Sequence, residues 1–238
     1  MSKSAKGYKP ETLRRVISGL KKETENYYAE LLEGKKISIV VSAGNSKIGK
    51  CMNVSLAPII TCGNCKECKG FCYDVKACLQ YENVRKARAK NTAIFRNSME
   101  DFFSQLWKRM SKERTNKFLR FHVSGEITSV EHLEYMIKTA EMFPDFKIWT
   151  YTKMYWLVNQ YVREHGGNRR ECIPHNLSIM FSEWKGLPMN NDYDFPVFRC
   201  VMPDEKKPDC MQCPGNCDFC KKHNCGCIAS ESVYANLH

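Results

Sequence analysis

The stretch Phe118-Leu119-Arg120-Phe121-His122-Val123-Ser124-Gly125-Glu126-Ile127-Thr128-Ser129-Val130-Glu131 changes its periodicity partway along, and that change sets the fold class. Residues 118–123 read as a strand running into Ser124-Gly125-Glu126. Thr128 to Glu131 then form a capping-box pattern, and Val130, Leu133, Ile137 and Ala140 give the helix behind it an apolar face. The same alternation recurs downstream. Residues 146–151 form a strand ending in Tyr151-Thr152-Lys153, and 155–164 a helix that stops at Gly166-Gly167. Residues 177–181 and 196–201 read as two further strands, the first ending in Ser182-Glu183.

Upstream, residues 10–33 carry Leu13, Val16, Leu20, Tyr27 and Leu31 near helical spacing, with Pro10 suited to a first turn. The β-branched run 37–41 reads as a short buried strand opening into a long loop over 42–77. A basic helical stretch follows over about 80–114, with Phe95, Met99, Phe102, Leu106 and Met110 on one side. Alternating strands and helices predict an α/β fold with a parallel sheet and right-handed crossovers. About five strands fit a partial (β/α) barrel better than a closed eight-stranded one. The expected division is an N-terminal helix over 1–36, a partial barrel with a cysteine loop over 37–203, and a cysteine-rich metal-binding extension over 204–238.

Hydrophobic residues make up 43% of the 238, enough for a core, and no stretch approaches the roughly 20 apolar residues of a membrane span. The basic start has no apolar segment behind it, so a secretory signal is not expected and the cytoplasm is the expected location. In a reducing compartment, clustered thiols point to metal or redox work rather than disulfides. Of the 14 cysteines, five lie between Cys62 and Cys78 and six between Cys210 and Cys227, leaving Cys51, Cys172 and Cys200 apart. The net charge of +11 suggests anionic partners, either nucleic acid or an anionic small molecule, and a solvated basic surface is the alternative. The footprint on nucleic acid would be the basic helix with Arg85, Lys86, Arg88, Lys90 and Arg96.

The first cluster, Cys62-Gly-Asn-Cys65-Lys-Glu-Cys68-Lys-Gly-Phe-Cys72, packs its thiols into one short loop, as cubane iron–sulfur sites do. Zinc, the alternative, more commonly takes two distant pairs. The second, Cys210-Met-Gln-Cys213-Pro-Gly-Asn-Cys217-Asp-Phe-Cys220 followed by Cys225-Gly-Cys227, suits one zinc knuckle or one [4Fe–4S] cluster. Cys78, Cys225 and Cys227 remain unassigned. Polar residues at strand ends, Ser124-Gly125-Glu126, Tyr151-Thr152-Lys153 and Ser182-Glu183, would share the carboxyl face of the sheet with the first loop, and helix caps or surface charges are the alternative. The run Ser42 to Lys50 lacks the spacing of a phosphate-binding loop; Asn45 within it could cradle an anion or brace the cysteine loop.

The motifs Gly44-Asn45-Ser46-Lys47-Ile48-Gly49, Asn53-Val54-Ser55, Cys62 to Tyr73, Arg120 to Glu126 and Tyr151-Thr152-Lys153 occur in one order that resembles the phage gene-product-88 family, over residues 37–227. More loosely, strand, cysteine loop, helix, strand and Gly-Glu motif resemble radical S-adenosylmethionine enzymes, although their CxxxCxxC spacing is replaced here by CxxCxxCxxxC. That second likeness implies [4Fe–4S] clusters, two in number, held by Cys62, Cys65, Cys68 and Cys72 and by Cys210, Cys213, Cys217 and Cys220. It implies S-adenosylmethionine at Ser124, Gly125 and Glu126, catalytic roles for Glu126 and Lys153, and an electron donor as partner if the clusters are redox-active.

Overall fold

The computed structural model describes residues 7–66, 68–202 and 205–236. The chain begins with α1 (Pro10–Leu32), then forms a hairpin of β1 (Ser42–Asn45) and β2 (Gly49–Val54). Three helices follow, α2 (Tyr73–Gln80), α3 (Glu82–Asn97) and α4 (Met99–Met110). The alternating part comprises β3 (Phe118–Phe121), α5 (Val130–Met142), β4 (Lys147–Thr152), α6 (Tyr155–Glu164), the single turn α7 (Arg169–Cys172), β5 (Leu177–Glu183) and β6 (Val197–Val201). The chain closes with β7 (Met211–Gln212), α8 (Cys217–His223) and β8 (Val233–Asn236).

Among the described residues the eight strands make one sheet in the order β1-β2-β3-β4-β5-β6-β8-β7. Every neighbouring pair is parallel except the β1–β2 hairpin, and β7 does not pair with β1, so the sheet is open. The expected α/β class with a mainly parallel sheet is therefore present, while the barrel does not close. No helix among the described residues is long and apolar enough to cross a membrane.

Strand periodicity divides the side chains between two faces. Met52 and Val54 of β2, Leu119 and Phe121 of β3, and Ile148 of β4 enter the main core with Phe102, Phe103 and Leu106 of α4 and Leu133 and Ile137 of α5. The alternate residues, Cys51, Phe118, Trp149 and Tyr151, form a second apolar cluster with Ile48, Cys220 and Ile228. The helices thus cover one face and the cysteine-rich C-terminal segment covers the other.

Four expectations are corrected. Residues 37–41 are extended but join no ladder. Two side-chain amides satisfy their backbone instead. The Val40 N–H donates to Asn91 Oδ1 at 2.7 Å, the Ile39 N–H donates to Gln105 Oε1 at 2.9 Å, and Asn91 Nδ2 and Gln105 Nε2 donate back to Val40 O and Ile37 O. The expected loop over 42–77 contains the β1–β2 hairpin and most of the first turns of α2. The expected helix over 80–114 breaks at Ser98, whose hydroxyl accepts from the Asp101 N–H and caps α4. The C-terminal segment, which reads as having little to bury, inserts β8 beside β6 and buries Ile228, Val233 and Tyr234.

Candidate functional site

Because β2 to β6 run parallel, their carboxyl ends meet along one edge, and the loops leaving them carry the polar motifs. Beyond β2 and β3 the pairing continues, with the His122 N–H donating to Val54 O and the Leu56 N–H to Ser124 O, both at 3.0 Å. This draws Ser124-Gly125-Glu126 against the start of the cysteine loop. Gly125 sits at φ +91°, and a Cβ there would lie 2.8 Å from Leu56 Cβ and 3.0 Å from Thr61 Oγ1. Glycine is thus required both by the left-handed backbone and by the close approach of the loop.

Glu126 is buried, 7% exposed, and both its oxygens accept from the Lys153 N–H at 3.2 Å. Burial raises its carboxyl above the ordinary range, against the lowering pull of Lys153 and of hydrogen bonds from Thr152 and the Lys153 backbone. Lys153 Nζ donates to Ser182 Oγ at 3.1 Å, and the Tyr155 hydroxyl donates to Ser182 O. Ser124 Oγ is buried without a hydrogen-bond partner.

The first cysteine group lies over this edge. Asn64 Nδ2 donates to Lys153 O at 3.2 Å and ties the loop to the end of β4. Burial pushes Cys62 well above the ordinary thiol range, with the Glu126 charge and then Cys65 and Cys72 adding to the rise. Cys65 is raised by burial and by Cys68, and Cys72 is raised to about 11, mainly by burial. The four loop thiols and Glu126 therefore share one electrostatic neighbourhood. Cys78 belongs elsewhere: it is fully buried on α2, 3.9 Å from Asp74 Oδ2.

The second group lies on the open sheet face. Lys221 Nζ donates to Ile48 O and Lys50 O at 2.6 and 2.7 Å, and the Cys217 N–H donates to Lys47 O, which clamps α8 against the β1–β2 hairpin. Cys217 is raised by burial with Cys213 adding to it, and Cys227 is raised to about 12 by burial with Cys213 and Cys217 adding. Cys220 is also raised to about 12, by burial and then by its hydrogen bond with Cys225. Cys227 and Tyr151 share a further hydrogen bond. Cys210 lies within electrostatic reach of Arg199. Asn45 is at the hairpin tip on this side, its Oδ1 accepting from the Lys47 and Ile48 N–H groups, away from Glu126.

Sequence reasoning placed Tyr151 at the carboxyl edge, left Cys51 apart and gave no role to Trp149 or to the Arg120 side chain; together these four form the floor beneath the second group. Burial raises Cys51 to about 12, offset in part by Lys221 and Arg120. Arg120 stacks over the Tyr151 ring, 4.7 Å from the guanidinium carbon to the centroid. Its Nε is buried without an acceptor, as is the indole Nε1 of Trp149. The ionisable groups around Arg120 are Tyr73, Tyr151, Cys217 and Cys227, and no carboxylate pairs with it among the described residues. The available signal was the period of two in Arg120 and in Trp149-Tyr151, which places all three on the face opposite Leu119, Phe121 and Ile148.

None of the 14 cysteines is in a disulfide. Among the described residues, no three His, Cys, Asp or Glu side chains converge closely enough to hold a single metal ion. The nucleic-acid footprint expected on α3 is largely neutralised. Arg85 pairs with Glu23, Lys86 with Glu82, Arg88 with Asp74 and Arg96 with Glu25, while Lys90 lies over the Tyr27 ring.

An open, mainly parallel α/β sheet with a thiol-bearing loop and a buried Glu126 held by the Lys153 backbone at its carboxyl edge defines the structural class. The family model described as gene product 88 matches residues 18–186, and the chain belongs to that family. The match spans α1 through β5 and includes the first cysteine group, while the second group falls beyond it. No curated protein and no solved structure matches the chain, and the looser likeness to radical S-adenosylmethionine enzymes has no support from these comparisons.

Proposed function

We propose that the chain is a metal–thiolate protein of the iron–sulfur type. The second group (Cys213, Cys217, Cys220 and Cys227, with Cys225 beside them) would hold one cluster. Cys62, Cys65, Cys68 and Cys72 would hold another. The observation that carries this reading is the pair of orphaned donors, Arg120 Nε and Trp149 Nε1, on the face that the second group covers. A buried N–H without an acceptor costs about 1–3 kcal/mol. A cluster with its thiolates is anionic and offers sulfur acceptors, so it would relieve both. A cubane also spaces its thiolates farther apart than a single zinc ion does, in keeping with thiols that are neighbours without converging.

Bound at these positions, such centres would supply one-electron transfer. At the loop, Glu126 is suited to hold the amino group of a ligand and Lys153 its carboxylate, which is the recognition an S-adenosylmethionine-type cofactor needs. The buried edge would keep water from both groups. The test is purification without oxygen, reconstitution with iron and sulfide, and iron and acid-labile sulfide analysis. About four irons per cluster is expected. Colourless protein with stoichiometric zinc would overturn the iron–sulfur reading. Addition of S-adenosylmethionine that leaves the EPR spectrum unchanged, with no cleavage, would overturn the cofactor reading alone.

A further inference from the structure

One cavity of the fold is lined by no cysteine. It is a groove of about 880 Å³ between the end of α1, the extended segment 37–41 and the last turns of α4. One wall is apolar, formed by Leu31, Ile37, Ile39 and Val41. Cations line the rest. Lys36, Lys108, Arg109 and Lys112 are exposed, and none has an ion pair among the described residues. A fifth, Lys35, is held by Glu33 at 3.2 Å. The single lining carboxylate, Asp101, is engaged by Gln105 Nε2 at 2.9 Å. The position of Lys108 and Arg109 at the end of α4 also suits its dipole, but Lys36 and Lys112 lie outside any helix and owe nothing to that effect.

We infer that this groove binds the phosphodiester backbone of nucleic acid. A lone phosphate needs donors converging on one point. Here Lys36 comes from the start of the extended segment and Lys108, Arg109 and Lys112 from the end of α4 and the turn after it, so the cations belong to separate elements lining the groove, as an anion of repeated phosphates requires. The groove has no aromatic lining on which bases could stack, so recognition is of the backbone and independent of sequence. The net charge of +11 has the matching sign. The basic character that the sequence suggested for α3 is thereby relocated, since the α3 cations are taken up within the protein while those of the groove are open. The groove shares no residue with either cysteine group, so the inference holds or fails apart from the iron–sulfur reading.

The experiment is fluorescence anisotropy of the full chain with a fluorescein-labelled 20-mer, as duplex DNA, single-stranded DNA and RNA, at several salt concentrations. Four phosphate contacts predict a slope of log K on log salt of about −3.6 for duplex and about −2.8 for single strands. Affinity should fall about 100-fold between 50 and 200 mM salt, from the same slopes. Replacing Lys36, Lys108, Arg109 and Lys112 together by alanine should flatten the slope to near zero. Lys112→Ala alone, in an exposed turn, should make it shallower by about one. The control Lys86→Ala/Arg96→Ala on α3 should leave the slope unchanged. A wild-type slope shallower than about −1 would overturn the inference by the same relation. So would a fourfold variant with the full slope, an α3 control that loses as much, or binding to anionic vesicles but not to nucleic acid.

Discussion

Replacing Gly125 by alanine tests how the carboxyl edge is assembled. Its φ of +91° places it in the left-handed region, where an added Cβ costs about 1–2 kcal/mol. The new methyl would also sit 2.8 Å from Leu56 Cβ and 3.0 Å from Thr61 Oγ1, well inside ordinary contact. Leu56 is fully buried, and Thr61 Oγ1 is fixed by its donation to Ala57 O at 2.7 Å, so neither can swing away freely. Overpacking of this kind costs about 1–3 kcal/mol, and the two effects together predict a loss of about 2–5 kcal/mol. Urea denaturation followed by circular dichroism reads that loss directly. The loop carrying Cys62 should move off Glu126, so Cys62 should react faster with a thiol reagent at native pH. Ser124→Ala, next door and without a hydrogen bond to lose, should change stability by less than about 1 kcal/mol. If Gly125→Ala matched Ser124→Ala in both readings, the proposed packing of the loop on the Gly-Glu turn would be refuted.

Arg88→Met should destabilise the fold by about 3–5 kcal/mol, because Asp74 is buried and its two oxygens each receive an Arg88 N–H at 3.2 Å; a melt unchanged from wild type would show that the pair is dispensable. Asn91→Ala removes bonds to Val40 N, Val40 O and Ser55 O, and a loss of about 2–4 kcal/mol with faster amide exchange at Val40 is expected. Stability should also fall in acid. Burial holds His122 down to about 3, and burial followed by the charge of His122 holds His132 well below the ordinary imidazole range. The unfolded chain takes up protons near pH 6.5 while the native imidazoles stay neutral. Stability therefore drops as pH falls from about 6.5 toward 3, by about 2 kcal/mol at pH 5 from His122, with His132 acting in the same direction. His122→Asn should make that decline shallower in denaturation curves recorded from pH 7 to pH 4, and an unaltered slope would contradict the burial of this pair.

The alternating middle of the chain was legible because its strands and helices announce themselves by period and caps. Ser129 accepts from the His132 N–H at the start of α5, within the capping motif read from the sequence. Three features were not legible, each for a physical reason. Residues 37–41 have the composition of a strand, but Asn91 and Gln105, more than fifty residues away, take the bonds a neighbouring strand would have supplied. The β1–β2 hairpin is hidden by its glycines, which read as loop although Gly44 and Gly49 are needed for the reversal. The C-terminal segment lacks periodicity, and its order comes from long-range pairing with β6 and from Lys221 reaching β2. At the site, the polar strand ends could be named from the sequence because they follow apolar runs. The floor under the second cysteine group could not, since Arg120, Trp149 and Tyr151 become partners only through sheet register, Arg120 lying beside Trp149.

The strand order β6-β8-β7 sets a sequence of events for the maturing chain. β8 lies between two strands that both precede it, so the sheet cannot close on that side until Asn236 has reached Val201. Until then β6 and β7 each lack the neighbour that completes their ladder, and the C-terminal segment is held to the hairpin only through α8. Once Val233 and Tyr234 slot in, Cys220 and Ile228 are sealed against Trp149. The last strand thus acts as a keystone, and variants that weaken it should loosen the C-terminal segment before they unfold the rest of the protein.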